Sequence, residues 1–212
     1  MELASKDSCT GCGNCKLICK KQAITFTRDV LNNIYPLIDS SKCVECGLCQ
    51  KVCPAINQVE KIRPKACYSC YATNKAIRKS SASGGVAQAI YRWCLKNDIQ
   101  FAGVCFDNKE LTAKYKLGFS EEDIHQFTNS KYTFSFMRNI SEDITDILKN
   151  GKQIVFIGLP CQVAAVKKYA EIKKVNTENL FTVDIICHGV PSDLYIKEHV
   201  KNICNGGTKI DR

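Results

Sequence analysis

The sequence predicts an α+β protein in which a small, cysteine-built N-terminal unit precedes an α/β domain with a partly parallel sheet. Three observations carry that expectation. Two closely similar strings, "CTGCGNCKLIC" from Cys9 and "CVECGLCQKVC" from Cys43, each hold four cysteines. A charged linker, "NQVEKIRPK", follows them and contains Pro64. Further on, "KQIVFIGLPCQVAAVKKYA" and "LFTVDIICHGVPSDLYIKEHVKNIC" each read as strand, tight turn and helix. Successive strand–helix units imply parallel strands in a layered fold. The expected boundaries are residues 1–60 for the first unit and 61–212 for the second.

Composition bounds the function. A chain of 212 residues has room for one large domain or for a small and a medium one. A hydrophobic content of 45% with mixed charge fits a soluble globular protein. The start, "MELASKDSC", has no apolar run, and stretches such as "IVFIGLP" are too short to cross a bilayer. A cytoplasmic protein with no membrane association is therefore expected. Fifteen cysteines do not make a disulfide scaffold here, because such scaffolds are small and secreted and the count is odd. The formal charge of +9 is scattered along the chain. No basic run interleaved with aromatics points to nucleic acid. The lysines read as solvated faces, with a minor share left to meet an anionic cofactor or an acidic redox partner.

Both cysteine strings have the spacing C-x2-C-x2-C-x3-C, at Cys9, Cys12, Cys15 and Cys19 and at Cys43, Cys46, Cys49 and Cys53, with Pro54 after the second. This is the run of bacterial two-cluster ferredoxins. The first three cysteines wrap three corners of a cubane, and Gly11, Gly13 and Gly47 let the backbone turn its amides toward sulfur. The fourth, carried on a short helix, reaches the other cluster. Cys9, Cys12, Cys15 and Cys53 are thus expected to hold one 4Fe-4S cluster, and Cys43, Cys46, Cys49 and Cys19 the other. Between the strings, "AITFTRD" and "IYPLIDSS" read as a hairpin. Lys20 stands where the first run would normally carry proline, which affects the helix exit and not the ligands. Zinc and plain core cysteine are the competing readings. Zinc favours C-x2-C pairs separated by a spacer, and chance does not duplicate a whole motif. An oxidised cluster with its thiolates carries about −2, so two of them lower the net charge to about +5.

The rest of the chain follows in order. "ACYSCYAT" (66–73) alternates like a strand, so Cys67 and Cys70 would face opposite sides and read as small core residues rather than ligands. From Val86 the apolar residues Val86, Ala89, Ile90, Trp93 and Cys94 follow helical spacing, with Ser83 as N-cap. The preceding Ser80, Ser81, Ser83, Gly84 and Gly85 resemble a phosphate cradle at a helix start. "IQFAGVCFD" and "LTAKYKLGFS" read as strands, with Cys105 in the core. Ser120 and Asp123 open a short polar helix bearing an exposed His125. "NSKYTFSF" places Lys131 and Tyr132 in a loop before a helix that begins near Ser141 and stops at Gly151. In the two strand–helix units, ligands are expected at the carboxyl ends of the strands, at "GLPCQ" (158–162) and "CHGVPS" (187–192). Cys161 would sit at a helix N-terminus, where thiolate is favoured. Two ordinary turns with incidental cysteines are the plainer alternative. Cys204 reads as a helix-face residue.

The double cysteine motif followed by "SSASGGVAQAI", "NSKYTFS", "IGLPCQVAAV" and "DIICHGVPS" resembles the coenzyme F420 hydrogenase/dehydrogenase beta-subunit family, from Cys9 to about Asp193. The resemblance implies an FAD-binding domain that exchanges electrons with the clusters and with coenzyme F420 or another two-electron acceptor. It implies that Ser81, Ser83, Gly84 and Gly85 contact flavin phosphates and that Ser130, Lys131 and Tyr132 line the same pocket. It implies that Gly158, Pro160, Cys161 and Gln162, with Cys187, His188 and Gly189, lie near the flavin or a cluster. Members of the family usually continue past the "CHGVPS" helix, so a C-terminal truncation of the flavin domain is expected.

The leading expectation is an iron–sulfur flavoprotein oxidoreductase with His188 and Cys161 as catalytic candidates. His188 has the strand-end position that suits proton delivery. Its partners would be a small-molecule acceptor and a redox protein, such as ferredoxin or a hydrogenase or dehydrogenase subunit. The alternatives are a non-catalytic electron-transfer subunit and a cluster-based redox sensor.

Overall fold

The computed structural model describes residues 2–60 and 62–203, and Cys204 falls outside them. Near the N-terminus, two short helices, α1 (Asn14–Ile18) and α2 (Leu48–Lys51), flank a hairpin of β1 (Ile24–Arg28) and β2 (Ile34–Ile38). The hairpin is antiparallel, with Ile24 opposite Ile38 and Arg28 opposite Ile34. Both helices start on a glycine in the left-handed region, Gly13 at φ 83° and Gly47 at φ 74°. The strings therefore bend at those glycines, where a side chain would strain the backbone.

The remaining elements are α3 (Lys75–Lys79), α4 (Val86–Lys96), β3 (Gln100–Asp107), β4 (Thr112–Gly118), α5 (Glu121–Phe127), β5 (Ser135–Phe136), α6 (Ile140–Lys149), β6 (Ile154–Gly158), α7 (Pro160–Ile172), β7 (Leu180–Asp184) and α8 (Asp193–Ile203). The five-stranded sheet has the order β5-β4-β3-β6-β7. Only β3 and β4 are antiparallel. The pairs β3–β6, β6–β7 and β4–β5 are parallel. The fold is thus α+β with a partly parallel sheet.

Two cores cover the sheet. On one face Ala102, Tyr115, Ile154 and Phe156 pack against Ile140, Ile144 and Leu148 of α6 and Val163, Ala165 and Val166 of α7. On the other, Phe101, Cys105, Val155 and Ile157 meet Tyr91 and Cys94 of α4 and Ile124 and Phe127 of α5. Helix α7 is buried on its other side as well. Its Tyr169 joins Ile18, Ile24, Cys49 and Val52 in a third core. Buried Asn14 of α1 donates to the Ala165 carbonyl of α7 at 2.6 Å. The cysteine-rich unit is therefore docked on α7, which is apolar around most of its circumference because it is packed on both sides.

Three local expectations fail. Residues 66–72 form no strand, and Cys67 and Cys70 are exposed rather than core. The segment has no partner strand; its tie to the next loop is the Ala72 amide donating to the Gly84 carbonyl. Helix α4 is capped by Gly85, at φ 77°, and not by Ser83. Its apolar stripe is also less covered than its spacing suggests. Gln88, Tyr91 and Cys94 are the buried residues, while Trp93 is 55% exposed.

Candidate redox centre and its cleft

Seven of the eight thiols of the two strings fall into two groups. Cys9, Cys12, Cys15 and Cys53 lie close enough to influence one another electrostatically, so Cys53 of the second string faces the first. Cys49 feels Cys46 and Cys19 in the same way, so Cys19 of the first string faces the second. Burial dominates the first group, pushing the Cys12 thiol up to about 11 and Cys15 up to about 12, with the neighbouring thiols adding to it. Opposing that, the amides of Gly11, Asn14 and Lys16 point at the sulfurs of Cys9, Cys12 and Cys15. Burial and crowding hold these thiols protonated when free, so a metal centre would displace their protons on binding, and amide N–H···S bonds are the kind that tune iron–sulfur groups. Among the described residues, no group of three or more His, Cys, Asp or Glu side chains is placed to hold a single metal ion.

The two groups differ in setting. Cys12 packs against the main core, and Cys9 lines a cleft of about 410 Å³. In the other group Cys46 is exposed and Cys49 is buried. The cleft lies where the strand ends of the sheet approach the first string. One wall is Cys9, Thr10 and Gly11 with Asn32–Tyr35 of the hairpin turn. The opposite wall is Phe134 and Ser135, Leu159–Gln162 without Pro160, and the 187–193 loop through Cys187 and Gly189. Chain pairing explains the convergence. Gly158 of β6 pairs with Asp184 of β7, and the Ile185 amide donates to the Gly158 carbonyl, so both following turns leave the same edge.

A polar clamp closes the cleft at one side. Asp193, at the start of α8, is 1% exposed. Its Oδ1 accepts from Arg28 Nη1 at 2.9 Å and from Asn32 Nδ2 at 3.0 Å, and its Oδ2 from Lys197 Nζ at 2.6 Å. Ser192 Oγ donates to the Leu31 carbonyl at 2.8 Å. Burial alone would raise the Asp193 carboxyl, but Lys197 and Arg28 outweigh it and hold it below the ordinary range.

Of the residues expected in the site, Cys161, Gln162, Cys187 and Gly189 share this cleft with Cys9. Cys161 is half-buried at the second position of α7. Its thiol is pushed up, first by burial and then by Cys187, against the lowering effect of the helix-start amides, so the expected thiolate is not favoured there. Gln162 is committed internally. Its Oε1 accepts from Tyr115 Oη at 2.6 Å and from the Leu159 amide at 3.0 Å, and its Nε2 donates to Ser135 Oγ at 2.9 Å. Gly158 is small for packing, since a Cβ there would come within 2.7 Å of Tyr115 Oη. Pro160 is the first residue of α7, and His188 is exposed in the 187–192 loop; neither lines the cleft.

Ser81, Ser83, Gly84, Gly85, Ser130, Lys131 and Tyr132 do not line the cleft either. The Ser81 hydroxyl donates to the Ile77 carbonyl at 2.8 Å. Gly84 faces the preceding segment, where a Cβ would stand 3.3 Å from the Cys70 carbonyl and from Tyr71 Cβ. Lys131 Nζ donates to the carbonyls of Gln126 and Thr128 at the end of α5, and Tyr132 is 85% exposed. A separate, apolar hollow of about 280 Å³ is walled by Tyr71, Val86, Ile90 and Trp93, and none of residues 81–85 lines it. At its edge α4 begins on Gly85 without a side-chain cap, which leaves first-turn amides for an anion. The clamp residues Arg28 and Asp193, and the docking residue Asn14, carried no sequence signal beyond an acidic residue at a helix start.

Comparison with known proteins fits this arrangement. Residues 8–57 match the 4Fe-4S dicluster domain. Residues 67–140 match the N-terminal part of the coenzyme F420 hydrogenase/dehydrogenase beta subunit, and residues 151–210 match its C-terminal part. The chain is 25% identical over 180 residues to a coenzyme F420-dependent sulfite reductase of Methanocaldococcus jannaschii, covering 79% of this chain and 26% of that protein. It is 23% identical over 216 residues to a subunit of the F(420)H(2) dehydrogenase of Methanosarcina mazei, covering 94% and 60% respectively. It thus spans between a quarter and three-fifths of these relatives. A chain of the F420-reducing [NiFe] hydrogenase complex from Methanosarcina barkeri shares the fold, with a TM-score of 0.52 and 22% identity over 67% of this chain and 53% of that one. With an iron–sulfur dicluster domain followed by both parts of the beta subunit, the chain belongs to the coenzyme F420 hydrogenase/dehydrogenase beta-subunit family.

Proposed function

We propose that the chain is an iron–sulfur flavoprotein oxidoreductase that moves electrons between two 4Fe-4S clusters, FAD and a small two-electron acceptor such as coenzyme F420. Residues 1–60 would form the cluster domain and 61–212 the flavin domain. The observation that carries the reading is the cleft that Cys9 of the first string lines together with Cys161 and Cys187 of the sheet-end loops. A centre held by the first group would border the same space as a ring-sized ligand.

Cys9, Cys12, Cys15 and Cys53 would hold one cluster and Cys43, Cys46, Cys49 and Cys19 the other. FAD, when bound, would collect electrons singly and release them in pairs. The first-turn amides of α4, opened by Gly85, suit its phosphates. Ser81, Ser83 and Gly84 shape that loop more than they bind through side chains. Among the strand-end residues, Gln162 holds β4, β5 and α7 in register, and Cys161 keeps its proton at the cleft. His188, exposed beside Cys187, is the candidate for proton exchange with solvent.

No described helix is long and apolar enough to cross a membrane. The redox partner would be a separate protein or subunit.

A second reading, an electron-transfer subunit without its own flavin, is favoured by the internal commitment of Ser81 and Lys131. Anaerobically prepared protein distinguishes the two. About eight irons per chain with flavin absorption bands supports the oxidoreductase. Eight irons with no flavin, even after incubation with FAD, supports the transfer subunit. Fewer than about four irons rejects both.

A further inference from the structure

Two thiols stand outside both cysteine strings and outside the cleft. Cys67 and Cys70 are spaced C-x2-C, and both are exposed. They lie on an exposed stretch, residues 62–71, that carries no strand, helix or turn. Ala72 is the first buried residue after it, and its amide donates to the Gly84 carbonyl at 2.7 Å. There the chain is anchored on the loop before α4. A Cβ on Gly84 would stand 3.3 Å from the Cys70 carbonyl and from Tyr71 Cβ, and Arg78 of α3 lies over the Tyr71 ring at 4.8 Å. Cys70 thus borders anchored backbone, while Cys67 lies within the exposed stretch. Two sulfurs are half of a tetrahedral zinc set, and residues 62–71 hold no other His, Cys, Asp or Glu. The spacing has another use, because one turn of chain joins two such sulfurs.

We propose that Cys67 and Cys70 form a reversible disulfide on meeting a low-molecular-weight disulfide, and that closing it loosens the 70–72 segment from the loop at the start of α4. Thiol–disulfide exchange supplies the chemistry. One cysteine sulfur, as thiolate, attacks the small disulfide, whose S–S bond breaks and releases one thiol. The second cysteine sulfur then attacks the mixed disulfide, forms the Cys67–Cys70 bond and releases the other thiol. The protein loses two electrons and two protons, and the small disulfide gains both. Geometry supplies the consequence. An open stretch of three residue steps spans roughly 10 Å between Cα atoms, whereas a disulfide holds them about 4.4–6.8 Å apart. Closure therefore bends the stretch, and the bend falls beside the backbone that packs on Gly84. Residues 66–72 belong to no strand, so the bend works against the Ala72–Gly84 bond and the Gly84 and Arg78 contacts rather than against a ladder. An exposed disulfide of this kind is one that small thiols reverse. The switch needs neither cluster nor flavin, so it stands or falls apart from the function proposed above.

The test uses the full chain, prepared without oxygen, and oxidised glutathione as the small disulfide. After incubation the free thiols are alkylated and the protein is cut with trypsin. Cleavage after Lys65 and Lys75 puts both cysteines, and no others, on the peptide 66–75. We expect most of that peptide to escape alkylation and to be lighter than the dithiol form by two hydrogens, and dithiothreitol to restore it. Amide exchange at Ala72 should quicken about tenfold in the oxidised protein and stay unchanged in β6. Cys67→Ser and Cys70→Ser should each stop at a mixed disulfide with glutathione. Cys67→Ser/Cys70→Ser should keep the reduced rate at Ala72 whether or not glutathione disulfide is present. A wild-type peptide that stays fully alkylated, carries two glutathiones or links two chains overturns the proposal. An internal disulfide with unchanged exchange at Ala72 overturns the coupling to α4. Faster exchange at Ala72 in the oxidant-treated double variant overturns it too, by assigning the effect to other thiols.

Discussion

Asp193→Asn removes the charge from the one buried ionic side chain among the described residues and keeps its shape. The carboxylate holds Arg28 and Asn32 of the hairpin and Lys197 of its own helix. A hydrogen bond to a charged group contributes about 1.5–3 kcal/mol when desolvated. Arg28 and Lys197 are 38% and 37% exposed, so both can rehydrate when the charge is lost. Discounted for solvent, each ionic bond is left with about 1 kcal/mol. The asparagine would still accept from one neighbour, and the expected loss is about 2 kcal/mol. For a chain of this size that corresponds to about 4–8 °C in Tm. Anaerobic thermal unfolding of the cluster-loaded protein measures it, and hydrogen exchange at the 29–33 turn locates it. Acid should mimic the substitution. The folded-state carboxyl is held below its unfolded value, so the stabilisation is present above about pH 4 and is lost as pH falls through the lower folded value. Arg28→Ala combined with Asp193→Asn should cost less than the sum of the two singly, by about 1 kcal/mol. A Tm shift below about 1 °C with unchanged exchange at the turn would refute the clamp.

Three further outcomes are expected. Cys53→Ala should damage the centre held with Cys9, Cys12 and Cys15, and Cys19→Ala the other, as read by low-temperature EPR of each variant; signals lost from each cysteine's own string would reverse the assignment. Ser83→Asp should place a carboxylate beside the uncapped start of α4 and weaken FAD affinity at least tenfold, measured by flavin fluorescence, while iron content stays constant; unchanged affinity would move the phosphates elsewhere. Gln162→Leu should leave Tyr115 Oη, the Leu159 amide and Ser135 short of partners and cost about 2–4 kcal/mol of stability; a thermally neutral variant would show that water replaces the amide.

What could be read from sequence was what chemistry repeats locally. The ferredoxin-type spacing, the hairpin between the strings and the two strand–turn–helix units are set by covalent spacing and by patterns of two and 3.6 residues, so they survive without tertiary information. Cys105 could be placed in the core because its strand is covered by helices. The capping of α5 by Ser120 is likewise local, closed by its own Asp123 amide.

Where the reading failed, the deciding contact came from far along the chain. An alternating segment at 66–73 becomes a strand only if it pairs along an edge, and here its Ala72 amide bonds the Gly84 carbonyl of the next loop instead. Gly84 lies against the 70–71 segment, a contact its own loop does not announce. The thiol of Cys161 reads as a helix-start thiolate until burial and Cys187 are counted. The repeated cysteine spacing and the order of the elements were legible in the sequence alone. Only the tertiary structure decided that Cys9 and Cys161 line one cleft, that Asp193 ties the hairpin to α8, and that Cys46 is exposed while Cys49 is buried. The first two are pairings of residues more than a hundred positions apart, and a spacing rule has no reach over such distances; packing on both sides of α7 brings them together.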